Sequence, residues 1–353
     1  MQPQRILRLT VFNVLAALIG LAAGLVVVAA TGADVGFALN ILIFYPFSDA
    51  YNIGEIFVWF TALLIISLGI GFALRANLWN VGGEGQFLIG SIMSMIGWKA
   101  LGGYGIPPPI MIVLMLLSAA LGGVAWVAVP AILKAKFGSN EIVVTLLLNL
   151  VAVGMLFWAL DGPIRGRFSA GYLISDVIPP ELRLPLLIPE TRLSVAVFIA
   201  LALVVVMYIL AERTHFGLAV KAVGKNPEAA RYAGISIPKI TVLSLLIAGA
   251  LAGLAGGLHV MGVLYRMDAG YAETGFGYIA IVVAMLGAAH PIGILFSSFF
   301  FSYIMIGAQA MQRAVQVPFP LVYAIIGIML VSLTISQYLV RRERVISWPF
   351  TRS

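Results

Sequence analysis

The sequence predicts an all-α polytopic membrane protein, and three observations predict it. Hydrophobic residues make up 62% of the 353 and charged residues 10%, with a mean hydropathy of +1.08. Apolar runs of the ~20 residues that cross a bilayer recur along the whole chain. Lys and Arg fall between and beside those runs rather than along one face. The net charge of +7 and the pI near 9.7 therefore read as orientation in a bilayer and not as nucleic-acid affinity. The chain has no cysteine, which excludes a disulfide framework, thiolate metal sites and thiol catalysis. Its three histidines, His215, His259 and His290, lack ligand spacing.

About ten transmembrane helices follow in order. Arg5 and Arg8 precede the first run, 9–30, which is too long for a signal-peptide core despite the small residues near Ala33. Further spans fit 56–76, 84–100, 109–133 and 141–160, then 193–211, 240–262, 276–289, 292–311 and 321–340. Ten crossings put both termini on one side. An N-in, C-in orientation assigns 14 of the 21 Lys and Arg to the cytoplasm and 7 to the outside, the bias that membrane proteins show. Two halves of five spans each have an odd count and so opposite orientations, which makes any repeat an inverted one. That inference rests on counting, since no residue-level repeat is visible.

Two connections are too long for simple turns. The first, 161–192, is an external loop on this topology and holds Pro163, Pro179, Pro180, Pro185 and Pro189 with charges of both signs. Its Arg165, Arg167 and Arg183 could pair with surface acids of a docked partner protein, and a solvated loop without a partner is the alternative. The second, 212–239, is cytoplasmic. Within it Asn226 fits a helix N-cap, Pro227 the first position, Glu228 the first turn and Gly234 the stop, so a short helix is expected over 227–233.

Polar residues inside the apolar runs are the candidates for a solute pathway. Asn77, Asn80, Glu84 and Gln86 stand among three glycines between two spans, which suits a broken helix beside a pathway or, more plainly, a capped interhelical turn. Ser67, Thr145, Asn149, Ser244, Gln309 and Gln337 are neutral and spread over other spans. They fit an uncharged polar solute and equally fit helix packing. Gly249, Gly253 and Gly257 give one span a smooth face for packing against another span of the same chain, and His259 beside them reads as an interhelical donor. The other acids sit near span ends, which argues against proton or sodium coupling and for an outside source of energy. Gly224-Lys225 is followed by Asn226, and no phosphate-binding loop, zinc-protease or serine-hydrolase motif occurs.

Two motifs carry a resemblance over almost the whole chain. NLWNVGGEGQ, from Asn77 to Gln86, and GKNPEAARYAG, from Gly224 to Gly234, are similar to those of the ABC-importer permeases that serve branched-chain amino acids, simple sugars and nucleosides. The form N-x-W-N-x-G-G-E-G-Q most resembles the longer permease of nucleoside importers fed by basic-membrane-protein-type lipoproteins. The resemblance implies a type II importer-like fold. It implies a coupling helix containing Gly224, Asn226, Pro227, Glu228, Ala229, Ala230 and Gly234, which docks on an ATPase subunit that binds the ATP and Mg. It also implies a second, paralogous permease and an extracytoplasmic binding protein, in a bacterial inner membrane. No cofactor and no catalytic residue is then expected in this chain. The rivals are a sugar permease and, from another class, an ion-coupled carrier or channel working without an ATPase.

Overall fold

The computed structural model describes residues 34–315 except 168 and 170, together with 22, 26, 29, 32, 327 and 331. Apart from those scattered positions, the expected spans 9–30 and 321–340, with Gln337, lie outside the described residues. The chain forms two compact units, one of residues 1–52 with 303–353 and one of residues 53–302.

In the first unit α1 (Val35–Phe44) is capped by Asp34, whose carboxylate accepts from Phe37 N at 3.1 Å, and continues into a short 3-10 turn (Tyr45–Phe47). No span is expected from the sequence over these residues, and ten of them reach only about half of a bilayer core. The end of a longer helix described below packs on it. The Tyr303 hydroxyl donates to Ile43 O at 2.8 Å, and the Phe47 and Tyr303 rings stack at 5.4 Å.

The second unit holds most of the described helices. They are α2 (Ala50–Arg75, which starts in the first unit), α3 (Gly83–Leu101), α4 (Pro108–Phe137), α5 (Glu141–Asp161) and α6 (Ala196–Arg213). After the short α7 (His215–Lys225) and α8 (Pro227–Tyr232) come α9 (Ile237–His259), α10 (Phe276–Leu286) and α11 (Pro291–Val315, which ends in the first unit). Every span expected between 56 and 311 is occupied by a helix. Seven stretches among the described residues are long and apolar enough to cross a membrane. The odd one is α3, because Glu84, Gln86 and Lys99 lower its hydropathy although most of it is buried.

The core is the meeting of α3, α4 and α9. A Cβ built on Gly253 would lie 2.3 Å from Ala119 O, one on Gly123 would lie 2.0 Å from Gly249 O, and one on Gly90 would lie 2.3 Å from Gly253 Cα. Glycine is required at each because backbone meets backbone. The small-residue face of α9 thus packs within the chain, as its spacing indicated. By contrast α4 and α5 leave apolar side chains such as Leu117, Leu121, Leu147 and Leu150 exposed, as a lipid-facing surface does.

Candidate functional site

α2 ends in a left-handed residue. Asn77 has φ +59°, with its N–H on Leu74 O (3.0 Å) and the next N–H on Ala73 O (3.1 Å), so it is an exposed helix stop. The chain then runs inward before α3 begins. Along α5, Glu141 accepts weakly from Trp79 N (3.4 Å), while Asn149 Oδ1 accepts from Gly85 N at 2.9 Å. Those two residues are eight apart, which sets the start of α3 about 12 Å deeper than the start of α5. Asn149 Nδ2 also donates to Val81 O (2.9 Å) and to the Tyr278 hydroxyl (3.3 Å). Asn80 and Gln86 exchange two amide hydrogen bonds, at 2.9 and 2.8 Å, and Asn80 Oδ1 also takes Gly82 N at 3.1 Å.

Glu84 lies in the middle of this group, 2% exposed. Its carboxylate accepts from Thr274 Oγ1 (2.8 Å), Gly275 N (2.9 Å) and Gly277 N (2.6 Å), so it caps α10. Gly277 lets the two backbones touch, since a Cβ there would be 2.0 Å from Glu84 N. Two helix N-termini, those of α3 and α10, therefore converge inside the membrane region on one carboxylate, which balances both dipoles. Sequence reading put Glu84 at the end of a span; the structure sets it deep, because the stretch after Asn77 re-enters before it turns helical. Glu55 and Glu141 stay at helix ends, paired with Arg192 and Lys134.

The structure brings Asn80, Glu84, Gln86 and Asn149 together, and their polar atoms are largely spent on one another and on backbone. Asn77 stands apart on its turn, and half-buried Gln309 belongs to the other unit. Beside the cluster, Phe87 stacks on Tyr271 at 5.7 Å, and His259 sets its ring edge against Phe276 at 5.1 Å and Tyr271 at 6.0 Å. Ser91 and the Tyr271 hydroxyl share a hydrogen bond of 3.0 Å.

The short helix expected after Gly224 exists. Asn226 Oδ1 caps α8 by accepting from Ala229 N at 3.0 Å, and Pro227 is its first residue. Gly234, at φ +79°, ends it with Ile235 N on Ala230 O and its own N–H on Arg231 O, both 3.0 Å. Ala230 is buried, while Glu228, Ala229 and Arg231 face outward with Tyr232, which is 94% exposed. Sequence reading missed Tyr232, which only a helical wheel over 227–232 would have flagged, and missed α7, whose one apolar face in a polar stretch looks like loop. A Cβ on Gly224 would lie 2.0 Å from Arg75 O, so α7 rests directly on the end of α2.

An ionic group lies beneath it. Arg75 Nη1 donates to Glu212 Oε1 at 2.7 Å, Lys221 takes the other Glu212 oxygen, and His290 Nε2 is 3.8 Å from Oε1. Burial, then Arg75 and Lys221, push His290 below its ordinary range against the pull of Glu212, so the ring stays neutral at neutral pH.

The segment 161–192 is pinned to the stretch that follows α9. Ser175 N donates to Met267 O (2.8 Å), Ile178 N to Tyr265 O (2.7 Å) and Leu184 N to Met261 O (3.1 Å). A cavity of about 810 Å³ opens there, lined by Lys99, Arg167, Asp176 and Arg266 among others. Burial raises the Asp176 carboxyl, but the hydrogen bond from Lys99, with that from Arg167 N, outweighs it and holds the group below its usual range. Arg165 and Arg167 are exposed. Arg183 is not: its guanidinium covers the Tyr265 ring at 4.6 Å and donates to Ile178 O at 2.9 Å.

Residues 52–334 match the family model described as the permease component of branched-chain amino acid transport systems. The chain is 32% identical over 330 residues to the guanosine ABC transporter permease NupP of Bacillus subtilis, covering 93% of each protein. It is 31% identical over 310 residues to the nucleoside ABC transporter permease NupB of Lactococcus lactis, covering 85% of this chain and 84% of that one. It is 30% identical over 340 residues to the glucose ABC transporter permease TsgB13 of Haloferax volcanii, covering 93% and 88%. No solved structure matches the chain.

Proposed function

This chain belongs to the branched-chain amino acid transport system permease family, and we propose that it is the membrane subunit of an ABC importer whose solute is a nucleoside. Permeases of this kind are transport components without an ATPase site of their own. An ATPase subunit and a binding protein complete the importer, and the second permease is a paralogue, in a bacterial inner membrane. The observation that carries the substrate class is likeness over most of the chain to a guanosine and a nucleoside permease. The spent carboxylate of Glu84 fits a neutral solute. The glucose permease relative favours a second reading, a sugar. Uptake into proteoliposomes holding the assembled importer distinguishes them. ATP-dependent accumulation of guanosine or another nucleoside, with none from this chain alone, is expected. Preference for glucose would support the second reading, and ATP-independent uptake by the single chain would refute the importer.

In this reading α7 and α8 face the ATPase, with Glu228, Ala229, Arg231 and Tyr232 presented to it. Gly224, Asn226, Pro227, Ala230 and Gly234 shape and seat the helix. Asn80, Glu84, Gln86 and Asn149 fix a break in the membrane that forms the wall of the solute pathway. The basic cavity beside 161–192 docks the binding protein, through Arg165 and Arg167, with Lys99 and Arg266 on its lining. Reversing both arginines to glutamate is expected to weaken docking about tenfold, ~1.4 kcal/mol, at low salt and less at high salt. Docking that ignores both the charge and the salt would remove this surface from the proposal. Arg183 is unsuited to that test because it anchors the loop.

A further inference from the structure

We propose that Arg75 is the joint through which movement of α7 and α8 reaches α10, and that it acts by holding a strained turn; this rests on reading α7 and α8 as the ATPase-facing segment. Arg75 is the last residue of α2, and its side chain is only 9% exposed. Its guanidinium binds three ways: Nε to Ala289 O at 2.7 Å, and Nη1 to Glu212 Oε1 at 2.7 Å and Ala211 O at 3.3 Å. Glu212 in turn holds Lys221 of α7, and the Arg75 carbonyl is the surface on which Gly224 sits. One side chain and its own backbone thus tie the end of α6, the whole of α7 and the turn after α10 to the end of α2.

That turn is where strain is stored. Ala288 and Ala289 are consecutive left-handed residues, at φ +53° and +54°, in a conformation that L side chains disfavour. The neighbouring Gly287 does not relieve them. It is right-handed, at φ −70°, and is glycine because a Cβ would lie 2.5 Å from Ile294 N. The Ala289 carbonyl is the atom that Arg75 grips. Such a turn persists where its surroundings over-determine it, and it relaxes when they let go, which gives the two-state element that a transmission step requires. The helix it ends, α10, is held at its other end by Glu84 against the start of α3. A shift of α7 that redirects Glu212 therefore reaches the convergent helix ends inside the membrane through a single rigid helix of eleven residues.

The test uses the complete importer in proteoliposomes, with Arg75→Gln, Arg75→Lys and the double variant Ala288→Gly with Ala289→Gly. Arg75→Gln and the double variant are expected to keep ATPase co-purification and basal hydrolysis within about twofold while solute imported per ATP falls at least tenfold. Arg75→Lys is expected not to rescue, because a single ammonium cannot span the carbonyl and the carboxylate as the planar fork does. The double variant decides the matter if Arg75→Gln fails to assemble, since glycine relaxes the turn without removing a charge and is expected to raise the melting temperature. Unchanged import per ATP, or hydrolysis and import falling in parallel, would overturn the joint. Glu228→Ala and Gly234→Ala separate the two readings. If these leave import and substrate-stimulated hydrolysis intact, the ATPase-facing assignment fails; if they uncouple and the Arg75 and turn variants do not, only the joint fails.

Discussion

Gly253→Val is expected to abolish accumulation of folded protein in the membrane. At this position α9 meets α4 and α3 at once. A Cβ would stand 2.3 Å from Ala119 O and 2.9 Å from both N and Cα of Gly123, while the Gly90 position presses on the Gly253 Cα from the other helix. Ordinary contact needs more than 3.4 Å, and every obstructing atom is backbone, so no side chain can swing aside. The helices would have to part by more than an ångström along interfaces buried over many turns. Overpacking of a core by a methyl or two costs about 1–3 kcal/mol when neighbours yield. Here two rigid backbones resist together, and the loss is expected to exceed ~5 kcal/mol, a large part of the stability of an ordinary domain. Gly154→Ala on α5 is the control, because nothing lies within 4 Å of a Cβ there. It is expected to be neutral or to stabilise by up to ~1 kcal/mol through helix propensity. Detergent-purified yield and melting temperature read both variants. A Gly253→Val protein as stable as the parent would mean that the three helices do not cross here.

The legible parts of this molecule are those written into one helix at a time. Spans between 56 and 311 follow from hydropathy, the glycine face of α9 from its four-residue spacing, and the short helix α8 from Asn226, Pro227 and Gly234, because caps and periods are local. What the sequence hides lies between helices. Gly90 matters because Gly253 faces it, and Gly123 because Gly249 and Gly253 do, and no spacing along the chain records that. Hydropathy puts Glu84 at a span end by default, and only its bonds to residues 274–277 and the brace from Asn149 show its depth. Asn77 reads as a pathway candidate because it is polar among apolar runs, and nothing in that pattern records the positive φ that makes it a helix stop. Ala288 and Ala289 gave no signal, since alanine is the last residue one expects in a left-handed pair.

Replacing Glu84 tests the convergence of α3 and α10 directly, and the size of the effect separates a structural carboxylate from a pathway side chain. Glu84→Ala leaves the N–H groups of Gly275 and Gly277 and the Thr274 hydroxyl without their acceptor, and it removes the negative charge from two helix N-termini. A hydrogen bond to a charged partner contributes about 1.5–3 kcal/mol, and three sharing one acceptor group are not additive, so a loss of ~4–5 kcal/mol is expected. Glu84→Gln keeps the shape but turns an accepting oxygen into an NH2 that faces another donor. It is expected to cost ~2–3 kcal/mol, lowering the melting temperature by several degrees, and to cut uptake at least tenfold in the protein that still assembles. Glu84→Asp retains the charge yet is one methylene too short to span both helices, so it should resemble Gln rather than the parent. If instead Gln and Asp keep the parental melting temperature while uptake alone changes, the carboxylate serves the solute and not the helix ends. The ordering parent, then Gln and Asp together, then Ala, in both stability and uptake, is what a carboxylate that holds two helix N-termini together demands.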